Sequence, residues 1–178
     1  IVEADELMHQ RWNSAEKDLL APNITKMIRR FNTTSLWVQT LVLSVETAEV
    51  RLVVLQRLLE VCAHLLDLNN FCSVWEICSG LQGAAVRRLS EMWNKLPEAS
   101  QSTWKRMQEL MDSTANFKRY RARLAEVPNV PCIPYMGFYL TDLVFGEEGA
   151  KTFRCGTASQ CWQVCRHRHS GERSDAAT

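Results

Sequence analysis

Two neighbouring carboxylates, Glu147 and Glu148, close the last apolar segment of the chain, and paired carboxylates are a common device for moving protons. Adjacent acids on a helix point apart, so these two read as a solvated helix end rather than an acid/base pair. Further along stand Cys155, Cys161, Cys165, His167 and His169, all metal-ligand types. Their spacing fits none of the usual paired zinc patterns, and no metal site is expected. The segment Gly80-Leu81-Gln82-Gly83 lacks the Lys-Ser/Thr that completes a phosphate cradle, so the chain is not expected to bind a nucleotide itself. His64 lies in an apolar helical run and reads as a core or boundary histidine. No nucleophile elbow, HExxH or ordered Ser-His-Asp set occurs, and no cofactor is expected.

The elements that would position any of these groups are helical. The chain has 178 residues, 46% of them hydrophobic, which allows one domain with a sizeable core. Its 21 basic and 20 acidic residues leave a net charge of +1, so a partner must be recognised by a shaped surface, and no nucleic acid is expected. No apolar run approaches the ~20 residues that span a bilayer. Residues 1–10 carry Glu3, Asp5 and Glu6, unlike a secretory signal. The cysteine count, seven, is odd. Cys62, Cys72 and Cys78 fall on apolar helical faces, so reduced thiols in a cytoplasmic protein are expected.

Apolar residues recur at helical steps from Ile24 to Val45 after Asn23, a good N-cap, with Pro22 just outside. Thr47 is placed to cap a second helix through Leu65, apolar on more than one face and therefore central. A third runs from Phe71 to Leu81, a fourth spans Ala84–Trp93, a further one holds Trp104–Met111, and another covers Asn116–Glu126. Trp37, Trp75, Trp93 and Trp104 read as core anchors. Three prolines between Val127 and Pro134 predict a stiff extended connector. Tyr135–Phe145 resumes as an apolar segment. From Arg154 the apolar period is lost, and 154–178 reads as a loose, divergent tail.

Four stretches in register carry a family likeness. They are NITKMIRRFN (23–32) with SLWV (35–38); LNNF (68–71), SGL (79–81), VRRL (86–89) and WNKLP (93–97); LMD (110–112) with Asn116-Phe117 and Tyr120-Arg121; and PCIPYMGFYLTDL (131–143) with EEG (147–149). Together they resemble the catalytic domain of Ras-family guanine-nucleotide exchange factors, the Cdc25-homology or RasGEF domain, from about residue 10 to 150. The resemblance implies an all-α fold of RasGEF type over 1–153, truncated at both ends, that promotes GDP release from a Ras-like small GTPase of the Ras, Rap or Ral class. The protein would be cytoplasmic and reach membranes through its lipidated partner.

The resemblance also implies roles for individual residues. Arg29, Gln82, Arg87 and Tyr135 would grip the GTPase, with Gln82 standing where the family commonly carries Asn. Val144 would lie against the magnesium site. Glu148 would stand where phosphate lies and compete for its donors, since carboxylate and phosphate both offer acceptor oxygens. After Gly149 the likeness fades where the family continues into a second hairpin helix. The alternative reading is therefore an exchange-incompetent GTPase-binding module.

Overall fold

The computed structural model describes residues 2–127 and 130–149. The described residues fall into two compact units: one formed by residues 2–27 with 137–149, the other by residues 28–127 with 130–136.

In the first unit a 3-10 segment, Ala4–Asn13, leads to α1 (Lys17–Leu20) and the opening turns of α2 (Pro22–Leu43). The 3-10 segment is broken at His9 and Gln10, which sit at φ 53° and 51°. α9 (Met136–Gly149) belongs to this unit from Gly137 onward. Its core is Trp12, Ala21, Ile24 and Leu140, with Val2, Leu7, Leu143 and Val144 packed around them.

α2 starts differently from the sequence expectation. Pro22 is the first helical residue rather than an outsider, a position where its missing N–H and fixed φ cost nothing. The backbone N–H groups of Asn23 and Ile24 donate to the Glu6 carboxylate at 2.8 and 3.1 Å, and the Asn23 side-chain amide donates to it at 2.7 Å. A residue seventeen positions away thus serves as the helix cap, so Asn23 is a donor here and not the N-cap.

The second unit holds the rest of α2, then α3 (Ala48–Asp67), α4 (Phe71–Leu81), α5 (Ala84–Arg87), α6 (Ser90–Asn94), α7 (Glu98–Leu110) and α8 (Thr114–Ala125). Thr47 caps α3 as expected, its hydroxyl accepting from the Val50 N–H. Asn70 caps α4 by accepting from the Ser73 N–H at 3.1 Å. α3 is central, packing on α4, α6 and α7. α4 is the most enclosed element: Phe71, Val74, Trp75, Glu76, Ile77, Cys78, Gly80 and Leu81 are all buried.

Three further expectations are corrected. The single helix expected over 84–93 is two short ones. The Val86 carbonyl, which a continuing helix would offer to Ser90, accepts instead from the Leu89 N–H and from the Trp93 indole N–H, both at 3.1 Å. His64 is exposed on α3 rather than buried or at the boundary. Trp37 is 56% exposed and anchors no core, whereas Trp75 is buried and Trp93 and Trp104 are half-buried against each other, ring centroids 5.0 Å apart. Cys62, Cys72, Cys78 and Cys132 are free thiols. The tail assigned to 154–178, with its cysteines and histidines, lies outside the described residues.

Candidate functional site

The connector at 130–135 is extended, as its prolines dictate, and is pinned to the turn between α3 and α4. The Ile133 N–H donates to the Asn69 carbonyl at 3.0 Å, and the Cys72 N–H donates to the Ile133 carbonyl at 3.1 Å. These bonds make a parallel bridge between Asn70 and Ile133. Asn69 sits at φ 53°, a left-handed conformation that asparagine tolerates better than most residues.

Tyr135 follows directly. Its backbone N–H donates to the buried Tyr120 hydroxyl at 2.8 Å. Its ring stacks on Trp75 (5.2 Å, 13°) and meets Phe31 of α2 at 5.5 Å. Tyr120 in turn lies against Trp75 at 4.7 Å and edge-on to Phe71 at 5.4 Å. Ring pairs at these separations add ~0.5–1.5 kcal/mol each beyond area burial. The array fixes one half-exposed phenol at the threshold of α9. Burial pushes the Tyr135 phenol up, and the neighbouring Cys72 adds to the rise.

α4 lies closely along α2. The Ser35 hydroxyl donates to the Glu76 carbonyl at 2.8 Å. A Cβ at Gly80 would stand 2.6 Å from the Ser35 carbonyl oxygen and 2.7 Å from the Val38 Cβ, and one at Gly83 would meet the Gln39 amide. The bare glycine at 80 is what permits the approach. Successive turns of α4 thus follow successive turns of α2, from Phe31 and Tyr135 at one end to Gln39 and Gly83 at the other. Gln82 ends α4, and Arg87 ends α5 four residues beyond Gly83; both are exposed, as is Arg29 on α2. Beside Arg87 opens a cleft of about 760 Å³ whose walls include Trp93, Leu96, Gln101, Trp104 and Lys105.

Beneath this surface lies one acid that the sequence reading did not single out. Glu76 is buried on α4, and burial pushes its carboxyl above the usual carboxylate range. Arg30 and the hydrogen-bonding Cys72 thiol oppose that rise. Only its isolation within an apolar helix marks it in the sequence.

In the other unit, α9 buries Phe138 and Leu140 and leaves Tyr139 and Thr141 exposed. Val144 is half-buried, packed against the Trp12–Ile24 cluster. Phe145 is 63% exposed, and Glu147 and Glu148 are exposed at the helix end. The Glu147 carboxylate accepts from the His9 N–H at 3.0 Å. The two acids therefore do separate work: Glu147 ties α9 to the N-terminal segment, and Glu148 faces solvent. Sequence reading missed this bracing by residues 2–12; the apolar Leu7 and Trp12 among early polar residues were its signal.

The six predicted residues divide accordingly: Arg29, Gln82, Arg87 and Tyr135 belong to one unit, Val144 and Glu148 to the other. Among the described residues no group of three His, Cys, Asp or Glu is placed to hold a metal ion.

The described fold is all-helical, with an aromatic-backed surface in one unit and a braced, acid-tipped helix in the other. The RasGEF domain family model matches residues 1–168, and the chain belongs to that family. It is 36% identical over 152 residues to Ras guanine nucleotide exchange factor A of Dictyostelium discoideum, covering 85% of this chain and 25% of that protein. It is 35% identical over 144 residues to the Ras-specific guanine nucleotide-releasing factor RalGPS1 of Mus musculus, covering 81% of this chain and 25% of that protein. RalGPS2 of Homo sapiens shows the same identity and coverage. The chain spans about a quarter of the length of these curated relatives.

Proposed function

We propose that this chain engages a Ras-like small GTPase of the Ras, Rap or Ral class and promotes release of its bound GDP. The carrying observation is its membership of the RasGEF domain family over nearly its whole length. The names of its relatives, as exchange or nucleotide-releasing factors for Ras, support the same reading.

Exchange forms no covalent bond. The factor must bind the nucleotide-free GTPase better than the loaded one, and by linkage it then weakens nucleotide binding by the same factor. Such GTPases hold nucleotide near the picomolar range, roughly 16 kcal/mol, so both a grip and a displacing group are required. In this reading Arg29, Gln82, Arg87 and Tyr135 form the grip, and the aromatic array behind Tyr135 keeps it from yielding. Val144 and Glu148 displace the magnesium ion and the phosphate contacts. A displacing helix must be held rigidly, and the Glu147–His9 bond with the Trp12 cluster supplies a brace. Membrane recruitment would follow from the lipidated GTPase; among the described residues no helix is long and apolar enough to cross a membrane.

The test is release of fluorescent GDP from Ras, Rap and Ral proteins. Acceleration of at least one is expected. Capture of nucleotide-free GTPase without accelerated release would instead establish the binding-only module, and no binding to any of them would sink both readings.

A further inference from the structure

Charge in this chain is nearly balanced overall, yet α8 is not. Residues 114–125 carry Lys118, Arg119, Arg121 and Arg123 and no acid. Two of these arginines, with Arg106 of α7, line a cleft of about 180 Å³ whose other walls are Leu66, Leu110 and a single acid, Glu109. Three arginines thus line one small concavity, with one acid among its walls.

The internal partners of that cleft are weak. Arg119 and Glu109 stand 3.5 Å apart with side chains 59% and 49% exposed. Exposed pairs of this kind contribute about 0–1 kcal/mol. Arg123 divides its donors between Glu126 at 3.0 Å and the Asn69 side-chain oxygen at 3.4 Å. Arg106 makes no ion pair among the described residues. A planar guanidinium offers a fork of donors that matches phosphate oxygens in pairs. The volume is well below the ~300–1,000 Å³ of pockets that enclose drug-sized ligands, so the fit is to one phosphoryl group with the rest of its molecule outside.

We propose that the Arg106–Arg119–Arg123 cleft is an anion site for a phosphate monoester, either free in solution or the headgroup of a phosphorylated lipid. The dianion replaces Glu109 as the partner of Arg119 and gives Arg106 the counter-charge it lacks. The site stands apart from the GTPase reading, and its test needs no GTPase.

The whole chain is titrated with inorganic phosphate and with inositol trisphosphate by calorimetry, and sedimented with phosphatidylcholine vesicles with and without a phosphoinositide. Saturable binding is expected in at least one arm: soluble anions alone indicate a free ligand, and phosphoinositide vesicles indicate a lipid headgroup. Arg106→Ala and Arg119→Ala should each weaken it by on the order of tenfold. Glu109→Gln should strengthen it severalfold, an opposite sign that loss of folding cannot produce. Arg57→Ala, on α3 outside the cleft, should change nothing. No binding in any arm, binding indifferent to these cleft replacements, or equal competition by duplex DNA would overturn the proposal.

Discussion

Glu6 sits at the start of α2, where the first backbone N–H groups of any helix lack partners. Its carboxylate accepts from Asn23, Ile24 and the backbone of Glu3. Burial alone would raise its pKa, but the bonds from Asn23, Ile24 and Glu3 outweigh that and hold it below the usual carboxylate value. A carboxyl depressed on folding contributes stability above the ordinary carboxylate range, and that stability is lost as pH falls through the depressed value. Glu6→Gln is expected to cost about 1–2 kcal/mol at neutral pH, in line with other helix caps and charge-assisted hydrogen bonds. In denaturant titrations the gap between variant and parent should close in acid. A gap that persists unchanged below the depressed value would show that the charge on Glu6 is not what holds the turn.

Between elements, α4 approaches α2 closely at Gly80. Gly80→Ala sets a Cβ against the Ser35 carbonyl, which is backbone and cannot rotate away. A loss of about 1–3 kcal/mol is expected, as for other overpacked contacts. Gly83→Ala meets only the far end of the Gln39 side chain, which can swing aside, so its cost should be a few tenths of a kcal/mol by comparison with ordinary surface changes. Thermal unfolding of the two variants side by side checks the order; equal losses would mean that the fit at Ser35 relaxes more freely than a backbone contact should.

Over the whole molecule, the proposed grip and the proposed displacing helix belong to different units, and their effects on exchange should separate. Tyr135→Ala removes a large aromatic contact and is expected to raise the GTPase concentration needed for half-maximal release, with a smaller effect on the maximal rate. Glu148→Ala should cut the maximal rate by on the order of tenfold to a hundredfold, the scale for losing one charge-stabilising group, while binding of nucleotide-free GTPase changes far less. Equal loss of binding and rate for Glu148→Ala would remove it from the displacing role.

Much of this protein is local and therefore readable from its residues. Helical periodicity, the Thr47 cap and the prolines before Tyr135 each act within a few positions along the chain, and the structure keeps α3, α4 and the connector from residue 130 onward where they predict; Pro128 and Asn129 lie outside the described residues. Four motifs in register carried the family for the same reason: order and spacing survive in the sequence itself. Other features depend on residues far apart in sequence, and only the tertiary structure decided them. Glu6 capping α2 across seventeen positions, Glu147 bound to His9, the Trp93 indole ending α5 by taking the Val86 carbonyl, and Trp37 left facing solvent all turn on which surfaces meet. Periodicity shows that a side chain belongs to an apolar stripe, but burial and hydrogen bonding depend on what arrives opposite it, and that is settled only when the helices pack.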